Sequence, residues 1–148
     1  MEITAHQLAK RFIGVHEVDG DEDHPLIQFA MSTTTYGSGA IDTPDSVPWC
    51  SAFVNFIAWL LDAPRSNSAM ARSWLSVGRP VKLEGAVVGW DVVIFSRGDP
   101  GGTQGHVGFF SGVGFGGGIK ILGGNQGDEV NVTTFPTDRI LGIRRLIG

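Results

Sequence analysis

Cysteine is nearly absent from this chain: Cys50 is the only one in 148 residues. One thiol excludes an intramolecular disulfide framework, and no Cys/His pairing has zinc-finger spacing, so the sulfur is free. Basic residues are also scarce, 11 against 15 acidic ones, and no cluster of them is larger than a pair such as Arg144-Arg145. Nucleic-acid binding needs a basic footprint and is therefore not expected. The longest apolar run, Phe56 to Leu61, is too short to span a bilayer, so no membrane insertion is expected. Residues Met1 to His6 lack a basic stretch leading into an apolar one, so no Sec-type signal peptide is expected. Synthesis in the cytoplasm follows, with any export supplied by something else. No repeat or linker interrupts residues 1–148, which reads as one domain with a substantial core, expected as a monomer.

What is present falls into two halves. Thr4 to Ile13 suits a short amphipathic helix with Thr4 as N-cap, Leu8, Phe12 and Ile13 inward, and Gly14 closing it. Pro25 to Ser32 predicts a second helix with Leu26, Phe29 and Ala30 inward. Thr33 to Pro48 reads as an extended loop. Ser51 to Leu61 has only two polar side chains, Ser51 and Asn55, four apart on one face, and predicts the central buried helix. A further helical piece is expected around Ser68 to Val77. Beyond it, Val87-Val88, Asp91 to Phe95, His106 to Ser111, Ile119 to Leu122, Val130 to Thr134 and Ile140 to Leu146 are β-prone runs parted by glycine-rich turns. Helices first and strands afterwards predict an α+β fold, an antiparallel sheet of about five to six strands packed on the cysteine helix.

Cys50 sits in Pro48-Trp49-Cys50-Ser51-Ala52-Phe53, where the loop gives way to that central helix. An isolated cysteine beside an apolar segment is most often an inert core residue. A thiol at a helix N-terminus, however, faces unpaired N–H groups and the positive end of the macrodipole, both of which favour a thiolate. Two downstream segments raise the functional reading. Gly105-His106-Val107 puts a histidine at the start of a strand, and Gly123-Gly124-Asn125-Gln126-Gly127 puts carboxamides after the next one. Neighbouring antiparallel strands lie about 5 Å apart, so His106 and Asn125 can be adjacent. The order Cys, His, Asn is that of thiol hydrolases, with Cys50 attacking a carbonyl, His106 as its base and Asn125 orienting the ring. Gln126 is the substitute for Asn125, and a plain turn is the alternative for the whole segment. The Cys50 N–H supplies half of an oxyanion hole, with Tyr36 and Asp45-Ser46 as weak candidates for the rest. His6, His16 and His24 are expected at the surface.

With these segments, and with Asp91-Val92-Val93-Ile94-Phe95 between them, the chain resembles the NlpC/P60 and CHAP superfamily of bacterial and phage cell-wall peptidases, closest to small single-domain members with a "GGNQ" segment. The resemblance covers Gly14 to the C-terminus. It implies a papain-like fold and a peptidoglycan hydrolase of the phage endolysin type, an endopeptidase or amidase with Cys50 as nucleophile and His106 as general base and acid. The third member is usually histidine in NlpC/P60 enzymes; Asn125 is nearer the CHAP and papain pattern. The family's Gly-Asp is here Gly89-Trp90-Asp91, with Asp91 expected to be structural. Peptidoglycan is the implied partner, reached after release or delivery, and no cofactor is implied. The alternating carboxylates from Asp19 to Asp23 open like a calcium loop but lack its sixth-position glycine and closing glutamate, so a solvated turn is expected and no metal. A non-catalytic wall-binding or phage-structural module with the same fold is the alternative function, and an intracellular thiol peptidase a weaker one.

Overall fold

The computed structural model describes residues 2–18, 24–34 and 48–148. The loop carrying Asp19 to Asp23 and the segment carrying Tyr36, Asp45 and Ser46 lie outside them. Helix α1, Ala5–Ala9, opens on a reciprocal capping box, the Thr4 hydroxyl accepting from the Gln7 N–H while the Gln7 carboxamide accepts from the Thr4 N–H. A 3-10 turn, Lys10–Phe12, extends it to Gly14, where a φ of 100° turns the chain. Helix α2, Pro25–Ser32, has the expected bounds and is capped by His24, whose Nδ1 accepts from the Leu26 N–H at 3.1 Å. Of the expected inward face, Ala30 is buried and Leu26 packs against the core, joined by Ile27 and Met31, whereas Phe29 is 44% exposed and meets Phe56 and Trp59 edge-on.

Helix α3, Cys50–Leu60, is the central one, with every residue from Cys50 to Ala58 buried. Its two polar side chains fall on one face, as their spacing requires, and both are satisfied. Ser51 Oγ donates to the Ser68 carbonyl and accepts from Trp74 Nε1. Asn55 donates to the Ser51 and Ser68 carbonyls, and its Oδ1 accepts from the Asn67 N–H at 2.9 Å. The polar stripe of an otherwise apolar helix thus holds the 66–68 segment in place. In place of the helix expected at Ser68 to Val77 stands a 3-10 stretch, Ala71–Ser76, whose buried residues Ala71 and Trp74 are three apart, the period of that helix.

The strands are β1, Arg79–Pro80; β2, Asp91–Ser96; β3, Gly105–Val113; β4, Ile119–Gly123; β5, Asn131–Phe135; and β6, Ile140–Arg145. They form one antiparallel sheet in the order β1-β6-β2-β3-β4-β5. The expected α+β arrangement is therefore the observed one. Val87-Val88 is not a strand; both valines are half exposed, and the Val87 N–H donates to the Asp91 carboxylate. Alternation divides the sheet's apolar side chains between two clusters. Val92, Ile94, Val107, Phe109 and Leu122 join the helices, while Val93, Phe95, Phe110, Ile121 and Ile143 form a second cluster with Phe135 and Ile140. Strand β2 is buried on both faces, which accounts for its unbroken apolar run. Asp91 is structural, gripping Arg145 of β6 through both oxygens at 2.6 and 2.8 Å and keeping that guanidinium charged. Among the described residues no helix is long and apolar enough to cross a membrane.

Asn55→Ala is expected to lower the unfolding free energy by about 2–3 kcal/mol, because the buried acceptors and donors it serves lose their partner. Chemical denaturation of the two proteins measures this, and an unchanged midpoint would contradict the assignment of Asn55 as the anchor of the 66–68 segment.

Candidate active site

Cys50 is the first residue of α3, preceded by Trp49, whose side chain makes no capping hydrogen bond. Trp49 is itself fixed. Its Nε1 donates to Glu17 at 2.9 Å, and its ring lies so close to Gly124 that a Cβ there would come within 2.6 Å of it. The backbone N–H groups of Val107, Ser51 and Cys50 itself favour the charged sulfur, which sets Cys50 close to the start of β3. The structure thus brings the cysteine to the start of β3, the strand whose second residue is His106. A cleft of about 220 Å³ opens onto Cys50, lined by Pro48, residues 69–71, Arg97 and residues 103–105. Cys50 as a residue is 5% exposed, and it lines this cleft.

His106 is the second residue of β3 and is 1% exposed. Its ring stacks on Phe135, centroids 5.1 Å apart, with Phe95 beyond. Nε2 lies 2.9 Å from Gln126 Oε1. The Gln126 amide nitrogen faces acceptors alone: the Ile121 carbonyl, the Asn131 carbonyl and Asn131 Oδ1, at 3.1, 2.8 and 2.9 Å. Asn131 is oriented in turn, its amide donating to the Gln126 carbonyl and to Glu129. The carboxamide can therefore present only its oxygen to the ring, so His106 carries its proton on Nε2 and leaves Nδ1 as a bare lone pair. That Nδ1 is buried and makes no hydrogen bond, to the Cys50 sulfur or to any other group.

Sequence reasoning placed Asn125 against the imidazole; the structure puts Gln126 there. Asn125 adopts a left-handed φ of 58° in the β4–β5 turn, a conformation that asparagine tolerates better than most residues. The signal was present, since an asparagine in a glycine-rich turn suits the backbone's need as well as a side chain's. Gly123 serves the same arrangement, because a Cβ there would come within 2.6 Å of Gln126 Oε1.

Burial pushes the Cys50 thiol above its ordinary value, and the N–H groups and the Arg97 charge that pull the other way do not prevail. Burial likewise lowers His106 from 6.5 to about 4, opposed by its bond to Gln126 and aided by the charges of Arg97 and Arg139. The resting pair is therefore a neutral thiol and a neutral imidazole, where the helix terminus alone led us to expect a thiolate. The desolvation cost of either isolated charge outweighs the dipole.

His6 is a correction: it is buried in α1, with Nε2 2.9 Å from Ser111 Oγ of β3. His16 is exposed as expected, and His24 is half-buried in its capping role. Among the described residues no group of three His, Cys, Asp or Glu side chains forms a metal site.

No family model matches the chain, and no curated protein sequence does. Its fold is similar to that of NlpC1 from Trichomonas vaginalis, with a TM-score of 0.59 and 21% identity over 96% of this chain and 42% of that one. NlpC2 from the same organism gives 0.59 and 20% over 96% and 45%. An NlpC/P60 family protein from Bacillus cereus superposes more loosely, at 0.47 and 17% over 67% and 32%. The likeness is one of fold, and it is the papain-like, NlpC/P60-type fold that the motifs led us to expect. This chain spans less than half the length of either Trichomonas protein.

The lowered His106 value sets a pH dependence whose sign is fixed. The fold holds the ring neutral, so protons bind the unfolded chain first. The stabilisation is complete above 6.5 and is lost as pH falls towards about 4, amounting to about 3 kcal/mol for this residue. Denaturation at pH 7 and pH 4 should show that component in the parent and not in His106→Asn; equal pH slopes would contradict it.

Proposed function

We propose that the protein is a peptidoglycan hydrolase cleaving an amide in or next to the peptide stem, a cysteine endopeptidase or amidase. Cys50 is its nucleophile, His106 its base and acid, and Gln126 the residue that orients the ring. The observation that carries this reading is the bare Nδ1 of His106, its proton held on Nε2 by a carboxamide that cannot turn round, at the start of the strand whose Val107 N–H favours the charged sulfur.

In this reading the Cys50 sulfur attacks the substrate carbonyl carbon as its proton passes to His106 Nδ1, forming the C–S bond. The carbonyl oxygen takes the negative charge and accepts a hydrogen bond from the Cys50 N–H. Collapse breaks the C–N bond, His106 Nδ1–H protonates the departing amine, and a thioester remains. A water molecule, deprotonated by His106, releases the acid and restores the thiol. Gln126 takes no part in bond making. It keeps the lone pair on Nδ1 and stabilises the imidazolium through Nε2–H. Peptidoglycan as substrate rests on the sequence resemblance and on the fold shared with NlpC1 and NlpC2. The endolysin setting, with a cytoplasmic product released or delivered to the wall, rests on the sequence resemblance alone.

One observation favours the second reading, a wall-binding or phage-structural module without turnover: burial raises the thiol. Turnover separates the two, since purified peptidoglycan left uncut by the parent would support the inert module.

Cys50→Ala is expected to abolish release of fragments from purified peptidoglycan, read by mass spectrometry, and lysis as strong as the parent's would overturn the thiol mechanism. Gln126→Ala should lower kcat/KM about a hundredfold, within the range that general acid–base groups contribute. Asn125→Gly, which keeps the left-handed turn, should stay within a few-fold of the parent. The reverse ranking would return the orienting role to Asn125.

A further inference from the structure

Most of the chain's arginines are committed to its backbone or to a carboxylate. Arg65 donates to the Thr33 carbonyl, Arg72 to those of residues 99, 100 and 104, Arg139 to Ser96, Arg144 to Leu75, and Arg145 to Asp91. Arg97 is different. It follows the last residue of β2, and its backbone N–H donates to the Gln104 carbonyl, which fixes where the side chain starts. Its guanidinium is exposed and makes no hydrogen bond or ion pair among the described residues. It also lines the cleft that opens onto Cys50, and it is the only charged residue among the described residues that line it. The chain as a whole is acidic, with a net charge of −4, so a lone cation in this cleft runs against the general field.

From this geometry we infer that Arg97 is a specificity-determining residue that receives a carboxylate of the substrate next to the amide being cut. The inference rests on the thiol-hydrolase reading above and deepens it: the preferred substrates are amides flanked by a free carboxylate, not their amidated counterparts. A guanidinium offers a planar fork of N–H donors that matches a carboxylate in two parallel hydrogen bonds. With no internal partner to release, Arg97 can form both at no cost to the fold. In open water such a pair contributes little, but a peptide lying along the cleft covers it and strengthens it. Ala69, Met70 and Ala71, which also line the cleft, are apolar and leave Arg97 as the feature that distinguishes a charged from an uncharged neighbour. Its charge acts on both Cys50 and His106, which places it within electrostatic reach of the reacting groups.

The lone cysteine makes a direct test available. Iodoacetate and iodoacetamide alkylate the same thiolate and differ in carrying a carboxylate or a carboxamide, so their rate ratio at Cys50 cancels any change in thiol acidity. At pH 7 we expect that ratio, followed by intact-protein mass spectrometry, to exceed the ratio for a free cysteine peptide at least tenfold. Arg97→Gln should bring it to the peptide's value, and Arg97→Lys should fall between. An equal ratio in the parent and Arg97→Gln overturns the assignment of Arg97 alone. A sulfur that neither reagent reaches overturns the thiol-hydrolase reading and the assignment with it. The same preference should appear with muropeptides divided into two halves, one with its carboxylates converted to carboxamides. The parent is expected to favour the acid form at least tenfold in kcat/KM, with the preference gone in Arg97→Gln. Equal cleavage of both forms by the parent removes the assignment and leaves the hydrolase, whereas a parent that cuts neither removes the hydrolase.

Discussion

The chemistry open to this chain depends on a carboxamide that cannot rotate. Turning the Gln126 amide over would aim its oxygen at the Ile121 carbonyl, the Asn131 carbonyl and Asn131 Oδ1, and its amide at the imidazole. Each buried group left facing a like partner costs about 1–3 kcal/mol, so the flipped state is not populated. The proton of His106 is thereby held on Nε2 and the lone pair on Nδ1. The segment Gly123-Gly124-Asn125-Gln126 builds this arrangement residue by residue. Gly123 makes room for the Gln126 oxygen, Gly124 lies against the Trp49 ring, and Asn125 supplies the left-handed turn.

That precision is achieved inside a dry environment, and burial has a consequence for the sulfur. Cys50 begins the most buried helix of the protein, and His106 is stacked against Phe135 in the second apolar cluster. Neither residue is held charged at rest, because the interior penalises a single charge more than a helix terminus rewards it. Passing a proton from sulfur to Nδ1 creates no net charge, however. It makes a dipole whose negative end is favoured by three N–H groups and whose positive end is held by Gln126. An environment hostile to either ion alone is less hostile to both together, and under the proposed reading the arriving substrate is what makes the transfer worthwhile.

Much of this was legible in the sequence where side-chain pattern and backbone need coincide. The bounds of α2 and α3 and of strands β2 to β6 follow from apolar runs ended by glycine, proline or asparagine, and the structure departs from them by a residue or two. The failures have physical causes. Strand β1 is a two-residue edge defined by its partner β6, not by its own composition. The inward face of α1 was assigned to the large residues Leu8, Phe12 and Ile13. Leu8 and Phe12 do pack against the core, Phe12 edge-on to Phe53 and Phe56, but Ile13 is exposed, and the most buried positions are Ala5, Ala9 and His6, a close approach that small side chains permit and hydropathy does not reveal. At the site, Cys50 and His106 stood out by their settings, but two adjacent carboxamides did not identify themselves. Asn125 matched the residue type expected, while the turn required that asparagine for its backbone and left Gln126 to reach the ring.

Two stretches of the cleft's lining are held in a way that separates fold from selectivity. For one, Ser51 and Asn55 of α3 fasten the 66–68 segment through its backbone, just before Ala69 and Met70. For the other, the Arg72 guanidinium takes the carbonyls of Asp99, Pro100 and Gln104, just before Gly105. Both stretches are therefore positioned by hydrogen bonds to main-chain atoms, not by packing of the side chains that face the cleft. The side chains of Met70, Arg97, Thr103 and Gln104 carry no structural duty comparable to that of Asn55 or Arg72, and of the four only Arg97 acts on Cys50 and His106, through its charge. Under the proposed reading, a site whose reacting groups are locked into the core, while its lining is left to the ends of two anchored loops, keeps one chemistry and allows its preference among substrates to change.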